Sequence, residues 1–150
     1  MASIRVLVTY RCKGEAVQNL EFFSQAYDEC VELRQQSKEV WVGRALLSLQ
    51  GMDRWEIAAF ADESFAGGLV LAHDPWDVHV GPCMSVFAQY VLPEHRLKGI
   101  SPRLMREAIK IARTSGKSTL AYTHRQGPWR YSTTYRSINN EESKGGHERN

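Results

Sequence analysis

The hydrophobic and polar positions of the N-terminal third follow first the period of a strand and then that of a helix. Residues 3–10 alternate apolar and polar side chains and are rich in β-branched types, which predicts a first strand. Residues 15–33 carry apolar side chains at helical spacing, and residues 38–49 repeat that pattern after a short polar break. The sequence therefore predicts two helices behind the first strand, and Gly51 is expected to close the second one.

The middle of the chain has the pattern of β-structure. Apolar runs at residues 55–61 and 65–73 flank a polar turn, which predicts a hairpin. Gly67 and Gly68 lie inside the second run, where paired glycines indicate a bulge or the close approach of another backbone. Residues 74–77 have the sequence Asp-Pro-Trp-Asp and are expected to form a loop.

A long apolar segment, residues 78–92, leads into a loop and then into an amphipathic helix. The loop covers residues 93–100 and contains one glycine. Ser101 is expected to cap the helix, with Pro102 at its first position, and Gly116 is expected to end it. A strand, a glycine-bearing turn and a helix N-terminus together present free backbone N–H groups to an anion, most often a phosphate.

The last part of the chain contains two further strand patterns. They cover residues 118–124 and 129–138 and are separated by a Gln-Gly-Pro turn signal. Residues 139–150 are polar and glycine-bearing, and they are expected to form a mobile tail. The predicted order of elements is β-α-α-β-β-β-α-β-β, in a single domain that covers residues 1–138.

The loop before the third helix carries a more specific signal. Residues 96–101 (Arg-Leu-Lys-Gly-Ile-Ser) resemble the R/Q-x-x-G-x-G/A motif of the GNAT superfamily of N-acetyltransferases. The Val-x-Pro-Glu-x-Arg before it and the Leu-Met-x-x-Ala-Ile after it are also similar to that family. The resemblance implies an α/β (α+β) fold with a mixed, mostly antiparallel central sheet flanked by helices. This sequence departs from the family at Ser101, where the motif ends in glycine or alanine, and in lacking the usual fourth helix.

In that family the loop wraps the pyrophosphate of acetyl-coenzyme A (acetyl-CoA), so the resemblance implies this cofactor. The residues it implies for cofactor binding are Tyr90, Val91, Arg96, Leu97, Lys98, Gly99, Ile100, Ser101 and Arg103. Either Arg103 or Arg106 would meet the 3′-phosphate. The implied reaction is the transfer of an acetyl group to an amine on a protein or a small molecule.

Acetyl transfer to an amine needs a base, or a chain of water molecules, that takes the proton of the ammonium, whose pKa is about 10.4 in a lysine-like amine. The family often places a glutamate on the fourth strand, near Ser85 here, but residues 81–92 contain no carboxylate. His124 is the candidate base in its place, because histidine titrates near neutrality; the alternative is a surface histidine at a strand end. In the family the departing thiolate is often helped by a nearby acid, and Tyr131 or Tyr135 is the candidate for that acid here, with simple packing as the alternative.

Composition adds a charge asymmetry to this picture. The chain has 150 residues, of which 43% are hydrophobic and 24% charged, as in a soluble protein of one domain. It has no apolar N-terminal region and no run long enough to cross a bilayer, so a cytoplasmic protein without membrane contact is expected. The net charge is +2, but residues 94–136 hold ten basic and only two acidic residues. This basic half suits a polyanion such as coenzyme A (CoA). Nucleic acid is a weaker candidate, since no recognition motif is evident.

The cysteines argue against a bound metal. There are three, they are widely spaced, and no cluster of cysteine and histidine has the spacing of a zinc site. No metal site is therefore expected from the sequence.

A second hypothesis keeps the fold without catalysis, as a binding or structural protein. The missing strand carboxylate, the Ser101-Pro102 pair and the lost fourth helix favour it. The compact size and the ending Trp-Arg-Tyr-Ser-Thr-Thr-Tyr-Arg are similar to small acetyltransferase-like proteins encoded by tailed phages. That resemblance implies a host-directed inhibitor or a virion component, which would act in the host cytoplasm or the virion through a protein partner. The open edges of such a sheet also suit a homodimer.

Overall fold

The computed structural model describes residues 3–18 and 20–138. The six strands of this part lie side by side in chain order in one sheet. Neighbouring strands are antiparallel, except that the fourth and fifth are parallel. The strands are β1 (Ile4–Arg11), β2 (Arg54–Ala61), β3 (Ser64–Asp77), β4 (Gly81–Val91), β5 (Thr119–Gly127) and β6 (Arg130–Ser137). The expected mixed, mostly antiparallel sheet is therefore confirmed.

Within the described ranges, three α-helices cover the two faces of the sheet. They are α1 (Phe23–Glu29), α2 (Lys38–Gln50) and α3 (Ile100–Thr114), and short 3₁₀ helices cover Val31–Gln35 and Pro93–His95. The buried side of α3, which includes Leu104 and Ala108, packs on one face of the sheet. Phe23 of α1 and Leu49 of α2 pack on the other face. The sheet is thus the middle layer between two apolar cores, whose burial is the main stabilising contribution.

The helix predicted over residues 15–33 is wrong over most of its length. The helix observed there, α1, has only seven residues, and the described residues before it, 12–18 and 20–22, form no helix or strand. Buried polar groups hold that segment in a non-helical path. Arg54 donates to the carbonyl oxygen of Glu15 at 2.7 Å, and Glu56 accepts the backbone N–H of Gln18 at 3.2 Å. These contacts use backbone groups that a helix would need for its own hydrogen bonds, so the apolar periodicity does not decide the structure.

Two smaller expectations also differ from the structure. Residues 74–77, predicted as a loop, belong to β3, because they pair with the start of β4. Ser101 does not cap α3; Gly99 holds the capping position with a φ of 78°, and the helix begins at Ile100. The chain passes from β5 directly into β6, so the fourth helix is missing there, as expected.

Two further points concern the predicted C-terminal tail and membrane-spanning helices. The tail expected over residues 139–150 lies outside the described residues. Among the described residues, no helix has both the length and the apolar character needed to cross a membrane.

The backbones of β3 and β4 approach each other closely at Gly67. A Cβ atom on this residue would lie 2.9 Å from the carbonyl oxygen of Tyr90 and 3.1 Å from the Cα atom of Val91. The close approach predicted from the paired glycines is therefore confirmed. At this point the backbone of β3 lies directly against the end of β4.

We expect the substitution Gly67→Ala to lower the free energy of unfolding by about 1–3 kcal/mol, because the nearest atoms belong to backbone and cannot rotate away. Gly43→Ala in α2 is the matched control, since a Cβ atom there meets nothing within 4 Å. Alanine at that helical position should stabilise the protein by about 0.5–1 kcal/mol. Urea unfolding of both variants measures the difference, and a Gly67→Ala variant as stable as the wild type would contradict the tight contact.

Candidate functional site

The parallel strands β4 and β5 are paired at only two positions and then diverge. The pairs are Met84 with Leu120 and Ser85 with Ala121. Beyond them, β4, β5 and the layer of α1 and α2 enclose a groove of about 880 Å³. Pockets that bind small molecules typically have about 300–1,000 Å³. The divergence of the two strands therefore creates a space of ligand size in the middle of the sheet.

The N-terminus of α3 lies beside this groove, and Ser101 and Met105 form part of its lining. The loop before the helix has positive φ angles of 64° at Leu97 and 78° at Gly99. No side chain caps the helix, and its first turn contains no acidic residue. Pro102 lacks an N–H group, but the other N–H groups of the first turn and the positive end of the helix dipole remain suited to an anion.

The side chain of Arg96 spans the edge of the groove. Its Nε donates to the carbonyl oxygen of Val91 at 3.0 Å. Its two terminal nitrogens donate to the two carboxylate oxygens of Glu29 at 2.9 and 2.7 Å. The guanidinium carbon lies 5.1 Å from the centre of the Tyr90 ring. Arg96, which the resemblance places at a pyrophosphate, is therefore engaged by α1 in this structure.

Glu29 and Tyr90 complete this group, which we call the β4 clamp (Glu29, Tyr90 and Arg96). The Tyr90 hydroxyl donates to the same carboxylate. The hydrogen bonds from Arg96, with a further contribution from Tyr90, lower the pKa of Glu29 to about 2. Burial, together with the bond to Glu29, raises the pKa of Tyr90 to about 12. A carboxylate thus reaches the end of β4, although it comes from α1 and is fully ionised at neutral pH.

A second group of the same composition lies on the other wall, and we call it the β5 clamp (Glu32, Arg125 and Tyr131). Arg125 donates to the two carboxylate oxygens of Glu32 at 2.6 and 2.9 Å, and the Tyr131 hydroxyl donates to one of them. The Glu32 side chain is only 6% exposed. The hydrogen bonds from Arg125 and then Tyr131 lower the pKa of Glu32 to about 2.

The two clamps hold one short segment of chain across the groove. Glu29 is the last residue of α1, and Glu32 lies in the 3₁₀ helix that follows. The first is bonded to β4 and to the loop before α3, and the second is bonded to β5 and β6. Residues 29–32 therefore connect the diverging walls at the place where the sheet has no hydrogen bonds of its own.

Because of the two clamps, we expect the free energy of unfolding to decrease in acid. The folded pKa of each glutamate, about 2, lies below the ordinary value of 4.5. Such a group stabilises the fold fully above its unfolded pKa, and this contribution is lost as the pH falls from about 5 toward 2. We expect the free energy of unfolding of the double variant, Glu29→Gln with Glu32→Gln, to decrease less steeply across that pH window than that of the wild type. Urea unfolding at a series of pH values measures the difference. Superimposable pH profiles for variant and wild type would contradict the two clamps.

The candidate catalytic residues separate into two places. His124 is exposed on β5 and lines the groove. Tyr131 also lines it, but its hydroxyl is bonded to Glu32. Tyr135 does not belong to the lining. Its hydroxyl donates to Asp77 at 3.1 Å, at the β3–β4 hairpin. The structure thus brings His124 and Tyr131 together at the groove and leaves Tyr135 outside it.

The residues implied for cofactor binding lie along β4, the loop and the start of α3. Tyr90 and Val91 line the groove, while Lys98 is exposed in the loop. Ile100 is buried in the core, so only its backbone is available to a ligand. The Ser101 hydroxyl accepts a hydrogen bond from the side-chain nitrogen of Gln89 at 3.0 Å.

Sequence reasoning missed the two clamp glutamates. Glu29 and Glu32 fall within the predicted helix of residues 15–33, where acidic residues are expected on the solvated face. Their bonding partners lie more than 60 residues further along the chain. No local pattern in the sequence marks either residue as part of the groove.

A separate cluster lies at the β3–β4 hairpin, outside the groove. Side-chain ligand atoms of Asp74, Asp77 and Cys83 lie within 4.8 Å of one another, a grouping that the spacing of cysteine and histidine does not signal. Asp77 already accepts hydrogen bonds from the backbone N–H of His79 at 2.7 Å and from Tyr135. These bonds account for the position of Asp77 as part of the hairpin turn.

Comparison with known proteins places this geometry in a family. The model of the acetyltransferase (GNAT) family matches residues 18–128. No curated protein matches the chain. The PaiA N-acetyltransferase of Thermoplasma acidophilum, in complex with coenzyme A, is similar in structure, with 20% identity over 83% of this chain and 80% of that one and a TM-score of 0.55.

Two other solved structures are similar to a comparable extent. The ribosomal-protein-alanine N-acetyltransferase of Brucella melitensis biovar Abortus 2308 has 16% identity over 81% of this chain and 82% of that one, with a TM-score of 0.55. An aminoglycoside 6′-N-acetyltransferase of Acinetobacter haemolyticus has 18% identity over 77% of each chain, with a TM-score of 0.50. At these identities the structures show the shared fold.

The family match includes every residue that lines the groove except Tyr131. It also includes the loop of residues 96–101, which carries the motif that resembles this family. GNAT acetyltransferases use acetyl-CoA, and one of the similar structures is a complex with coenzyme A. From the matched region, the groove between diverging strands and the loop at the start of α3, we conclude that this chain belongs to the GNAT family of acetyltransferases.

Proposed function

We propose that this protein transfers an acetyl group from acetyl-CoA to an amine of a protein or a small molecule. The observation that carries the proposal is the groove where β4 and β5 diverge, because it opens beside the uncapped N-terminus of α3. A bound cofactor would place its anionic end at the helix and its acyl end between the strands. The similar structures include an enzyme named for a protein amine and one named for an aminoglycoside, so both acceptor classes remain open.

The residues present fit the diphosphate of the cofactor. Leu97 and Gly99 turn the chain through positive φ angles, and space is open around the Cα atom of Gly99, where a Cβ atom would meet nothing within 4 Å. No carboxylate in the first turn of α3 opposes an anion. We therefore assign the backbone of residues 97–101, with Lys98, to the diphosphate, and Arg103 or Arg106 to the 3′-phosphate.

When bound, acetyl-CoA supplies an acetyl group that its thioester activates toward an amine. The chain's own contribution is to hold the acceptor amine and to take its proton. His124 is exposed at the groove and is the residue we propose as the proton acceptor, through one of its imidazole nitrogens. The Tyr131 hydroxyl lies on the same wall, but its proton is held by Glu32, so we assign it to the β5 clamp.

Turnover tests the proposal directly. Purified protein is mixed with acetyl-CoA and a panel of amines that includes aminoglycosides, simple primary amines and peptides with free N-termini, and the release of CoA thiol is followed over time. We expect multiple turnovers with at least one class. Binding of acetyl-CoA without turnover on any class would favour the second hypothesis, a non-catalytic protein of this fold. The engagement of Arg96 by Glu29 is the structural feature that favours that alternative.

The proposed role of His124 has its own test. We expect His124→Ala to lower kcat by about a hundredfold, since general-base catalysis typically contributes on the order of 10²–10⁴. His73→Ala is the control, because His73 is an exposed histidine of β3 that does not line the groove. An unchanged kcat in the His124 variant would remove this residue from the mechanism and leave proton removal to water.

A further inference from the structure

The β4 clamp joins two groups that the proposed reaction needs separately. Arg96 opens the loop assigned to the diphosphate, and Glu29, at the end of α1, is the carboxylate that lines the groove. In this structure each is the partner of the other, through two hydrogen bonds of 2.9 and 2.7 Å. One guanidinium cannot make the same bidentate contact to a carboxylate and to a phosphate at once.

The pair is able to exchange partners. Its side chains are 39% and 36% exposed, so water can solvate either group when the pair opens, and opening costs less than it would for a buried pair. By comparison, the Glu32 side chain in the β5 clamp is only 6% exposed, and Arg125 lies on β5, away from the loop. The clamp beside the phosphate loop is therefore the one that solvent reaches more easily.

We propose that Glu29 is the binding residue for a cationic acceptor amine, and that Arg96 masks it until a diphosphate on the neighbouring loop takes over the guanidinium. This inference rests on the proposed function, and it adds the acceptor's binding group and the order in which the site is completed. With Arg96 withdrawn, Glu29 keeps the Tyr90 hydroxyl as a donor and becomes a carboxylate open to an ammonium group. The mask gives positive coupling between cofactor and acceptor, and such coupling has to be the same in both directions.

The exchange should change the pKa of Glu29, which NMR of its carboxyl resonance measures. Its present value of about 2 is caused first by the hydrogen bonds from Arg96. Loss of those bonds removes the largest cause of the depression, so the pKa should move back toward its ordinary value when the loop is occupied. The pKa of Glu32, which is lowered by Arg125, should stay where it is.

The first arm of the test measures CoA binding by calorimetric titration of wild type, Glu29→Gln and Glu63→Gln. Freeing Arg96 should tighten CoA binding about two- to fivefold in Glu29→Gln, the range expected from removing a partly exposed competing ion pair. Glu63→Gln, which removes the carboxylate of an exposed ion pair outside the groove lining, should bind CoA like the wild type. Pantetheine, which lacks the phosphates, should bind equally to all three proteins.

The second arm uses benzylamine as a cationic probe and benzyl alcohol as its uncharged match, followed by NMR together with the Glu29 carboxyl resonance. Benzylamine should bind the CoA-loaded wild type at least about threefold more tightly than the free protein, a difference of about 0.65 kcal/mol. The gain should vanish in Glu29→Gln and be absent for benzyl alcohol. The Glu29 pKa should rise when CoA is added.

The outcomes separate this inference from the proposed function. If CoA binds but Glu29→Gln leaves its affinity unchanged and the Glu29 pKa stays at about 2, the mask is refuted while the cofactor site stands. If CoA binds none of the three proteins, the proposed function and this inference both fail. Circular dichroism of each variant confirms that the fold is retained, and CoA binding by Glu29→Gln but not by wild type would support the mask most strongly.

Discussion

Replacing Gly99 with aspartate is expected to weaken coenzyme A binding on the order of a hundredfold, which corresponds to about 2.7 kcal/mol. The effect comes from charge, because a carboxylate at the capping position would accept the helix N–H groups and repel the diphosphate assigned to them. Gly99 has a φ of 78°, and a side chain at that angle is strained by about 1–2 kcal/mol. This strain is present with and without the ligand, so it lowers the stability of the fold rather than the affinity.

Gly116 offers a matched control at the other end of α3. It has the same φ of 78° and the same open space around its Cα atom, so Gly116→Asp carries the same backbone strain without a charge at the groove. We expect this variant to bind CoA like the wild type. Titration calorimetry on both variants decides the matter, and equal affinities would show that the loop is not the phosphate site.

The second large effect concerns the buried ion pair that organises the segment before α1. Glu56→Gln is expected to lower the free energy of unfolding by about 3 kcal/mol, near the lower end of the range for removing one partner of a buried pair. The side chains of Arg54 and Glu56 are 0% and 1% exposed and are joined by a hydrogen bond of 2.9 Å. Without the carboxylate, the Arg54 charge would remain buried and uncompensated.

An exposed pair supplies the comparison for this variant. Glu63 is bonded to Arg5 at 3.2 Å, but its side chain is 81% exposed. Glu63→Gln should therefore change the free energy of unfolding by less than about 0.5 kcal/mol, as is typical of surface pairs. Urea denaturation of both variants tests the difference. Similar stabilities would mean that water reaches the Arg54–Glu56 pair.

The Arg54–Glu56 pair also links the sheet to the groove. It holds residues 15 and 18 in their irregular path, and α1 begins shortly after them with Glu29 at its end. Loss of the pair would therefore loosen α1, which supplies Glu29 to the β4 clamp. We expect Glu56→Gln to distort the groove as well as to destabilise the fold, whereas Glu63→Gln should do neither.

The strands and α3 could be predicted because their patterns are local. Alternation of apolar and polar residues, the turn at Asp62 and Glu63, and the apolar stripe of α3 depend on neighbours within a few residues. Both turn residues have positive φ angles of 49° and 71°, as a two-residue hairpin requires. The loop of residues 96–101 was found for the same reason, since a motif is a local feature.

The clamps could not be predicted, because nothing local records them. The helix expected over residues 15–33 fails where Arg54 and Glu56, buried on β2, take up the backbone groups of residues 15 and 18. Arg96 was assigned to a phosphate from the motif alone, and its bond to Glu29 depends on where α1 ends. Such pairings become visible only when the sheet has brought distant segments together.

The charge asymmetry of the sequence now has a partial structural account. Of the ten basic residues in positions 94–136, Arg96 and Arg125 are paired with glutamates from the acidic N-terminal part. Arg113 donates to the carbonyl oxygen of Ile138 at 3.0 Å and so joins α3 to the end of the sheet. The basic half therefore serves the fold as well as a polyanionic ligand, and its net charge alone does not identify the site.

The most direct test of the central claim is thermal unfolding of the wild type with increasing acetyl-CoA. A specific ligand at a hundredfold excess over its Kd stabilises a protein by about 2.7 kcal/mol. For a domain of this size that is a rise in Tm on the order of 5–10 °C. We predict a Tm that rises with the logarithm of the acetyl-CoA concentration above Kd, equally in the wild type and Gly116→Asp, whereas Gly99→Asp should need on the order of a hundredfold more acetyl-CoA for the same rise. A Tm that does not change up to millimolar acetyl-CoA would contradict the cofactor site and with it the proposed acetyl transfer.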